Sequence, residues 1–279
     1  MLAENSYGKS GIRLVHRRRR GDRHEIRDLT VAIALEGDFE AAHVGGDNSG
    51  ILPTDTMKNT VYAMARTRGI GAAETFALAL SEHFLGASAA ASTARVSISE
   101  RPWSRLPSGS GEHPNAFVLS GAERRIVRVE RTTSGPAVHA GLEDLTLLKS
   151  ASSGFSGFLR DAYTTLRETE DRILATAVRA IWSYAPGEIS WEPVARAIRS
   201  TLLETFADHV SASVQHTLHA MGQGVLDAHS DVTEIRLSMP NKHHLLVDLS
   251  PFGLDNPGEI FVATEEPFGL IEATLRRGR

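Results

Sequence analysis

The sequence predicts an α+β protein made of two similar halves, each an antiparallel sheet with helices on one face. The first observation is an order of elements, strand-strand-helix-helix-strand-strand, that occurs twice along the chain. The second is that helices are grouped between pairs of strands, which favours antiparallel over parallel sheets. The third is size and composition, because 279 residues with 41% hydrophobic and 23% charged residues suit two globular domains.

The first half begins with two predicted strands, and in the second of them apolar residues alternate with smaller or polar ones. Two helices follow, and the second carries Phe76, Leu80 and Phe84 on one face. Two more strands are separated by the segment RPWSRLPSGSGEHPN, whose Pro, Gly and Ser content predicts a loop. The predicted bounds are strands 11–16 and 29–35, helices 56–66 and 72–85, strand 94–100, loop 101–115 and strand 126–131.

The second half repeats this order after the segment TTSGPA, so we place the first domain at 1–135 and the second at 136–279. Open sheet edges predict that several subunits close a β barrel, because exposed edges are commonly protected by pairing or closure. Pockets are then expected at the interfaces between subunits. The predicted strands are 142–150, 172–183, 232–239 and 245–249, and the helical stripes are Val194, Ile198, Leu202 and Phe206, then Val214, Leu218, Met221 and Val225.

Composition and charge exclude several classes of protein. A net charge of -4 disfavours a general nucleic-acid or membrane binder, and the run from Arg17 to Arg20 is expected at the solvated tip of a hairpin. The absence of cysteine excludes disulfides, thiolate catalysis and Cys-based metal sites. No apolar stretch approaches the roughly 20 residues that span a bilayer, and MLAENSYGK lacks the apolar core of a signal peptide. These features predict an intracellular protein.

Common catalytic motifs are missing. The sequence has no GxxxxGK(S/T), GxSxG or HExxH, and no GxGxxG at a strand-to-helix turn, which disfavours nucleotide binding, serine hydrolysis and simple zinc hydrolysis. His216 and His219 are three apart on a predicted helix, and His243 and His244 are adjacent. A metal site also needs a third ligand, usually a carboxylate. We therefore expect ordinary surface or supporting histidines and no metal.

The stretch ILPTDTMKNTVY places Thr-Asp-Thr after a proline and before a helix. One interpretation is capping, in which Thr54, Asp55 or Thr56 accepts hydrogen bonds from amides of the first turn. The other is binding, because free backbone N–H groups at a helix start can hold an anion or a carbonyl oxygen.

Further polar residues stand at the ends of predicted elements, and each alone has an ordinary explanation. Arg172 could pair with Glu168 or Asp171. Asn241 follows Pro240 in a sequence typical of a turn. The others could simply be solvated. The whole set is Lys9, Arg172, Gln215, Asn241 and His243.

Five segments, in this order and at these intervals, closely resemble the urate oxidases, or uricases. They are YGKSGIR, ILPTDTMKNTVY, GFSGFLRDAYTTLRETEDRIL, SASVQHT and PNKHHLLVDLS. The resemblance extends from Tyr7 to about Thr274, and a match as long as LRDAYTTLRET is not expected by chance. It implies two tandem tunnelling-fold domains per chain and a homotetramer around a central tunnel, with active sites between subunits.

The resemblance also implies an activity, the oxidation of urate by O2 and water to 5-hydroxyisourate and hydrogen peroxide, without metal or organic cofactor. On this sequence, Arg172 and Gln215 would grip the pyrimidine edge of urate. Arg offers a planar fork, and Gln offers both a donor and an acceptor. The backbone N–H of Val214 would support the same edge, and Phe155 would lie flat against the purine.

The resemblance assigns the five-membered ring of urate to a neighbouring subunit. The backbone amides of Thr54 and Asp55 would meet that ring, and the Thr54 hydroxyl would move protons together with Lys9. Asn241 and Thr54 would hold O2 or water above the ring, and His243 would extend the proton relay. Because the chain ends in TLRRGR and not in an SKL-type tripeptide, we expect a bacterial cytoplasmic enzyme.

Two other functions stay open on the sequence alone. One is a metal-dependent pterin or purine ring hydrolase of the same fold, which the lack of Cys and of a convincing His cluster disfavours. The other is a non-catalytic urate-binding protein. Lys9 and Thr54 together argue against it, because binding alone needs no proton relay.

Overall fold

The computed structural model describes residues 2–109 and 111–278, so Met1, Ser110 and Arg279 lie outside the described residues. The chain divides into two compact units. No helix among these residues combines the length and the apolar character needed to cross a bilayer.

The first unit ends at Gly141 and contains four neighbouring antiparallel strands and two long helices. Its elements are β1 (Tyr7–Arg20), β2 (Arg23–Gly37), α1 (Glu40–Gly45), α2 (Thr54–Thr67), α3 (Ala73–Ala87), β3 (Ala91–Arg101), β4 (Trp103–Ser108), β5 (Gly111–Leu119) and β6 (Arg124–Thr132). Strands β1, β2, β3 and β6 are neighbours in that order. The antiparallel sheet predicted for this half is confirmed.

The core of the first unit lies between its sheet and the helices. Leu29, Val31 and Leu35 of β2 are fully buried, as their alternation predicts. Helix α3 packs on β3 and β6. Burying a large apolar side chain contributes about 1.5–3 kcal/mol, so the apolar face of α3 holds this helix on the sheet. The buried members of that face are Phe76, Leu80 and Phe84.

The second unit begins at Leu142, within β7 (Gly135–Lys149), a few residues after the boundary expected from the sequence. Its other elements are β8 (Leu174–Tyr184), α4 (Trp191–Asp208), α5 (Val214–Ala228), β9 (Val232–Lys242), β10 (His244–Leu246), a 3-10 turn (Ser250–Phe252), β11 (Phe261–Ala263) and β12 (Gly269–Arg276). Strands β8, β9 and β12 are antiparallel neighbours in that order. Helix α5 packs on β9 and β12, and α4 packs on α5.

Close packing of α5 on β12 depends on Gly222. A Cβ atom at this position would lie 2.8 Å from Cδ1 of Leu275 and 3.3 Å from Cδ1 of Leu237. Non-bonded carbons are normally about 3.5–4.0 Å apart. The missing side chain therefore lets α5 approach the sheet.

The loop predicted at residues 101–115 is wrong, because most of that segment belongs to the hairpin of β4 and β5. Arg105 stabilises the hairpin from its centre. Its guanidinium donates to the carbonyl oxygen of Pro114 at 2.6 Å and lies 4.9 Å from the ring centroid of Phe117. The pairing is between segments whose Pro, Gly and Ser content hides the strand pattern.

The prediction of a strand at 245–249 is also wrong. The observed β10 is shorter and pairs with β11 in a separate two-stranded sheet. The strand that pairs with β9 on the side away from β8 is β12. Most side chains of β12 are exposed, so its sequence GLIEATLR carries little buried alternation to predict it.

The basic run lies at the tip of the first hairpin, as predicted. Arg17 to Arg20 are the exposed last residues of β1, and Arg20 faces Arg23 across the turn. Arg20 also forms an ion pair with Glu25 at 3.0 Å. Exposed pairs of this kind contribute at most about 1 kcal/mol.

Candidate active site

The N-terminus of α5 is built to present backbone donors. Ser213 is the N-cap, and its hydroxyl oxygen accepts a hydrogen bond from the amide of His216 at 3.1 Å. The amides of Val214 and Gln215 lie in the first turn, where no earlier carbonyl of the helix can accept from them, so they have no partner within the helix. Val214 is 2% exposed, whereas the Gln215 side chain is exposed. A ligand at this terminus would meet backbone amide donors and the exposed side-chain amide of Gln215.

Backbone hydrogen bonds tie this helix terminus to the segment after β7. Ser153 and Ser211 form a parallel bridge, in which the amide of Gly154 donates to the carbonyl of Ser211 at 2.8 Å. The amide of Ser211 donates to the carbonyl of Ser152 at 2.9 Å. Below them, the buried hydroxyl of Thr217 donates to Oγ of Ser211 at 2.7 Å. The two segments are therefore fixed relative to one another.

The same ladder positions Phe155 and Arg172. Phe155 and Thr169 exchange backbone hydrogen bonds of 2.7 and 3.1 Å, and the amide of Arg172 donates to the carbonyl of Ser153 at 2.7 Å. As a result, the guanidinium carbon of Arg172 lies 5.4 Å from the centroid of the Phe155 ring. The ring also stacks on Phe158, with 5.0 Å between centroids and 13° between planes.

Arg172 is half-buried and has no carboxylate partner in the part of the chain that the structure describes. Its Nε atom is buried without a hydrogen-bond acceptor among the described residues. Burial lowers the pKa of the guanidinium below its ordinary value. Glu168, one suggested partner, lies 3.8 Å from Arg160 instead. A desolvated guanidinium with an unused donor beside an aromatic ring is suited to a planar anionic ligand.

Asn241 and His243 lie at the end of β9. Asn241 is half-buried and is the Cα partner of Thr176 in β8 and of Gly269 in β12. His243 follows the last residue of β9, and its carbonyl accepts a hydrogen bond from the amide of Thr264 at 2.9 Å. Asn241 continues the buried face of β9 formed by Met239, so it lies on the side covered by α5.

In the first unit, Lys9 lies near the N-terminus of α2. The amide of Leu52 donates to the Tyr7 hydroxyl at 3.0 Å, which holds the start of α2 beside the start of β1. Lys58 is the main reason that the pKa of Asp55 lies below its ordinary value, and the positive charge of Lys9 contributes in the same direction.

The capping interpretation of Thr54, Asp55 and Thr56 is wrong. Helix α2 already begins at Thr54, its N-cap is Pro53, and no side chain caps it. The carboxylate of Asp55 accepts hydrogen bonds from Lys58 and Asn59 instead. The first three amides of α2 precede any intrahelical acceptor, since the earliest bond runs from Met57 to the carbonyl of Pro53. They remain available to a ligand.

Two histidine side chains near the start of α5 contact each other. The rings of His209 and His216 are 4.3 Å apart in an edge-to-face arrangement. Burial, with smaller contributions from His216 and Lys149, lowers the pKa of His209. Over residues 2–109 and 111–278, no group of three or more His, Asp or Glu side chains has the arrangement of a metal site.

Sequence reasoning missed the small polar residues that support the site. Thr176, for example, lies inside the apolar stretch RILATAVRAIW, where a lone Thr attracts no attention. Only burial distinguishes these residues, and burial depends on tertiary contacts that the sequence does not show. These residues are Ser153, Thr176, Ser211 and Thr217, all buried.

Comparisons with known proteins identify the family of this chain. A sequence model of the uricase family matches residues 5–130 and 138–272. The chain is 47% identical to the uricase of Arthrobacter globiformis over 99% of its length and 90% of that protein. It is 38% identical to the uricase of Danio rerio, covering 99% of this chain and 95% of that one.

The fold agrees as well. The crystal structure of the uricase from Arthrobacter globiformis superimposes with a TM-score of 0.95 at 46% identity, covering 99% of this chain and 95% of that chain. By sequence and by fold, over nearly its whole length, this chain belongs to the uricase family.

Proposed function

We propose that this chain is a urate oxidase that converts urate, O2 and water to 5-hydroxyisourate and hydrogen peroxide without a metal or an organic cofactor. The observation that carries the proposal is the Arg172 guanidinium, desolvated, free of carboxylates among the described residues and 5.4 Å from the Phe155 ring. Together with family membership, this arrangement favours a planar anion as the substrate.

Urate binds through its pyrimidine edge. Arg172 presents a fork of N–H donors to adjacent acceptors on this edge, and Gln215 supplies a donor and an acceptor. The Val214 amide, free at the start of α5, adds a donor from a rigid element. Urate stacks on the ring of Phe155, a contact worth about 0.5–1.5 kcal/mol beyond its buried area.

The five-membered ring of urate is held by a neighbouring subunit in a homotetramer of two tandem tunnelling-fold domains per chain, residues 1–135 and 136–279. The unpaired amides of Thr54 and Asp55 at the start of α2 meet this ring. Lys9 and the Thr54 hydroxyl form the proton relay, and His243 extends it. Asn241 and Thr54 hold O2 or water above the ring.

The chemistry needs no bound oxidant other than O2. Urate supplies two electrons, O2 accepts both together with two protons to become hydrogen peroxide, and water supplies the hydroxyl group on C5. The site contributes by holding the urate anion, by placing O2 against its face and by moving protons. We place this activity in the bacterial cytoplasm, as supported by the absence of cysteine and by the Arthrobacter relative.

The test is to mix chelator-treated purified protein with urate in air and to follow urate absorbance and hydrogen peroxide together. We expect absorbance to fall and one peroxide to form per urate. Urate binding without either change would indicate a non-catalytic binding protein. Loss of absorbance without peroxide, seen in untreated protein and abolished by the chelator, would indicate a metal-dependent hydrolase.

A further inference from the structure

The hydroxyl group of Thr176 is buried without a hydrogen-bond partner in the described chain. Thr176 is 0% exposed, and its Oγ1 atom contacts no donor or acceptor among residues 2–109 and 111–278. Valine has the same shape and would avoid the penalty of desolvating a hydroxyl. A lone hydroxyl retained in an apolar strand therefore calls for a reason outside the stability of the core.

Register places this hydroxyl beside Asn241. The two residues are Cα partners across β8 and β9, so their side chains leave the sheet on the same face. Directly opposed side chains have Cβ atoms about 4.5–5.5 Å apart. That spacing allows the Thr176 hydroxyl to reach the Asn241 amide group once the Asn241 side chain is oriented.

An Asn side chain has two ends with opposite hydrogen-bonding character. Its Oδ1 atom accepts and its Nδ2 atom donates, and their shapes are nearly the same. A hydroxyl that donates to Oδ1 would select the orientation in which Nδ2 points away from Thr176. Nδ2 would then face the reacting oxygen, where N–H donors stabilise the negative charge that develops as O2 is reduced.

We propose that Thr176 is a positioning residue that fixes the amide of Asn241 with its donors directed toward O2. This inference rests on the proposed function, because it requires Asn241 to contact O2 or water in urate oxidation. Thr176 itself touches neither urate nor O2. Its loss should therefore affect turnover and the response to O2 while leaving urate binding intact.

The experiment compares Thr176→Val and Thr176→Ser with wild type at several O2 concentrations. We expect Thr176→Val to lower kcat about tenfold, the effect of losing one hydrogen bond in the transition state, to raise the KM for O2 and to leave the KM for urate within about twofold. Thr176→Ser restores the hydroxyl and should recover most of kcat. The melting temperature of ligand-free Thr176→Val should change little, because valine has the same shape and the hydroxyl makes no hydrogen bond with the described residues.

The matched control is Thr233→Val, which removes a hydroxyl from the far end of the same strand pair, where Thr233 donates to the carbonyl of Ser183 at 3.3 Å. Its kcat should equal that of wild type. In an Asn241→Ala background, Thr176→Val should cause no further loss, because the two residues act together.

The proposal fails if Thr176→Val retains wild-type kcat, if Thr176→Ser is as slow as Thr176→Val, or if the losses from Thr176→Val and Asn241→Ala simply add. A lower melting temperature with equal losses for both substitutions would identify a packing role only. If wild type itself produces no peroxide from urate, the proposed function fails instead, and that result is read from wild type alone.

Discussion

Replacing Arg172 by Lys tests the binding role of its guanidinium. Lysine keeps the positive charge but loses the planar fork and the contact over Phe155, whose centroid lies 5.4 Å away. One charge-assisted hydrogen bond is worth about 1.5–3 kcal/mol, and the contact of a cation with an aromatic ring adds about 0.5–1 kcal/mol. The sum of about 2–4 kcal/mol corresponds to a fall in kcat/KM of roughly 30- to 1,000-fold.

The control is Arg179→Lys, because Arg179 lies in β8, the strand that follows Arg172, but is exposed and forms a 3.8 Å ion pair with Glu143. Steady-state urate oxidation, followed by absorbance and peroxide, should separate the two substitutions by at least tenfold. The melting temperature of Arg172→Lys should fall only slightly, because the contact with the Phe155 ring is worth about 0.5–1 kcal/mol and the Arg172 Nε atom has no acceptor among the described residues to lose. Equal kinetics for the two variants would refute the assignment of Arg172.

Three further predictions concern proton transfer, pH and packing. Lys9→Met should lower kcat about 10²- to 10⁴-fold, the usual contribution of a general acid or base. Binding of an unreactive urate analogue, measured by calorimetry, should stay unchanged. A parallel loss of affinity would contradict the role of Lys9 in the proton relay. The pKa of His209 is held below its ordinary value by burial, with smaller effects of His216 and Lys149. The unfolded chain therefore binds the proton more readily than the folded chain. The free energy of unfolding should be highest above about pH 7 and should fall as the pH drops through about 6.5. Thermal unfolding between pH 8 and 5 should show a shallower fall for His209→Gln than for wild type or for the exposed control His219→Gln. Gly222→Ala should destabilise the fold by about 1–3 kcal/mol, because its Cβ would lie 2.8 Å from Leu275. The control Gly86→Ala in α3, where an added Cβ meets open space, should stabilise the fold by up to about 1 kcal/mol. Equal changes in unfolding free energy for the two variants would contradict the packing argument.

Local patterns predicted the parts of the fold in which one face is buried. The alternation of Leu29, Val31 and Leu35 and the stripe of Phe76 and Phe84 each report the burial that the structure contains. Strand β12 could not be predicted in this way, because most of its side chains are exposed. The hairpin of β4 and β5 depends on the contacts of Arg105 with Pro114 and Phe117, which local composition does not encode.

The site divides along the same physical line. Residue types at element ends identified Arg172, Gln215 and Asn241 as candidates, and their assigned roles came from the resemblance to the uricases. The start of α2 was misjudged because capping depends on the backbone angles of Pro53, with φ of -56° and ψ of 136°, which place it as the N-cap. The unpaired hydroxyl of Thr176 is a tertiary property, since it exists only once β8, β9 and α5 have packed.

A crystal structure of the assembled protein with 8-azaxanthine, a planar urate analogue, tests the central claim most directly. The account predicts the analogue flat against Phe155, with Arg172 and Gln215 on its pyrimidine edge and the amide of Thr54 from a neighbouring subunit on the opposite edge. An analogue bound away from Arg172, or held by one chain alone, would contradict it.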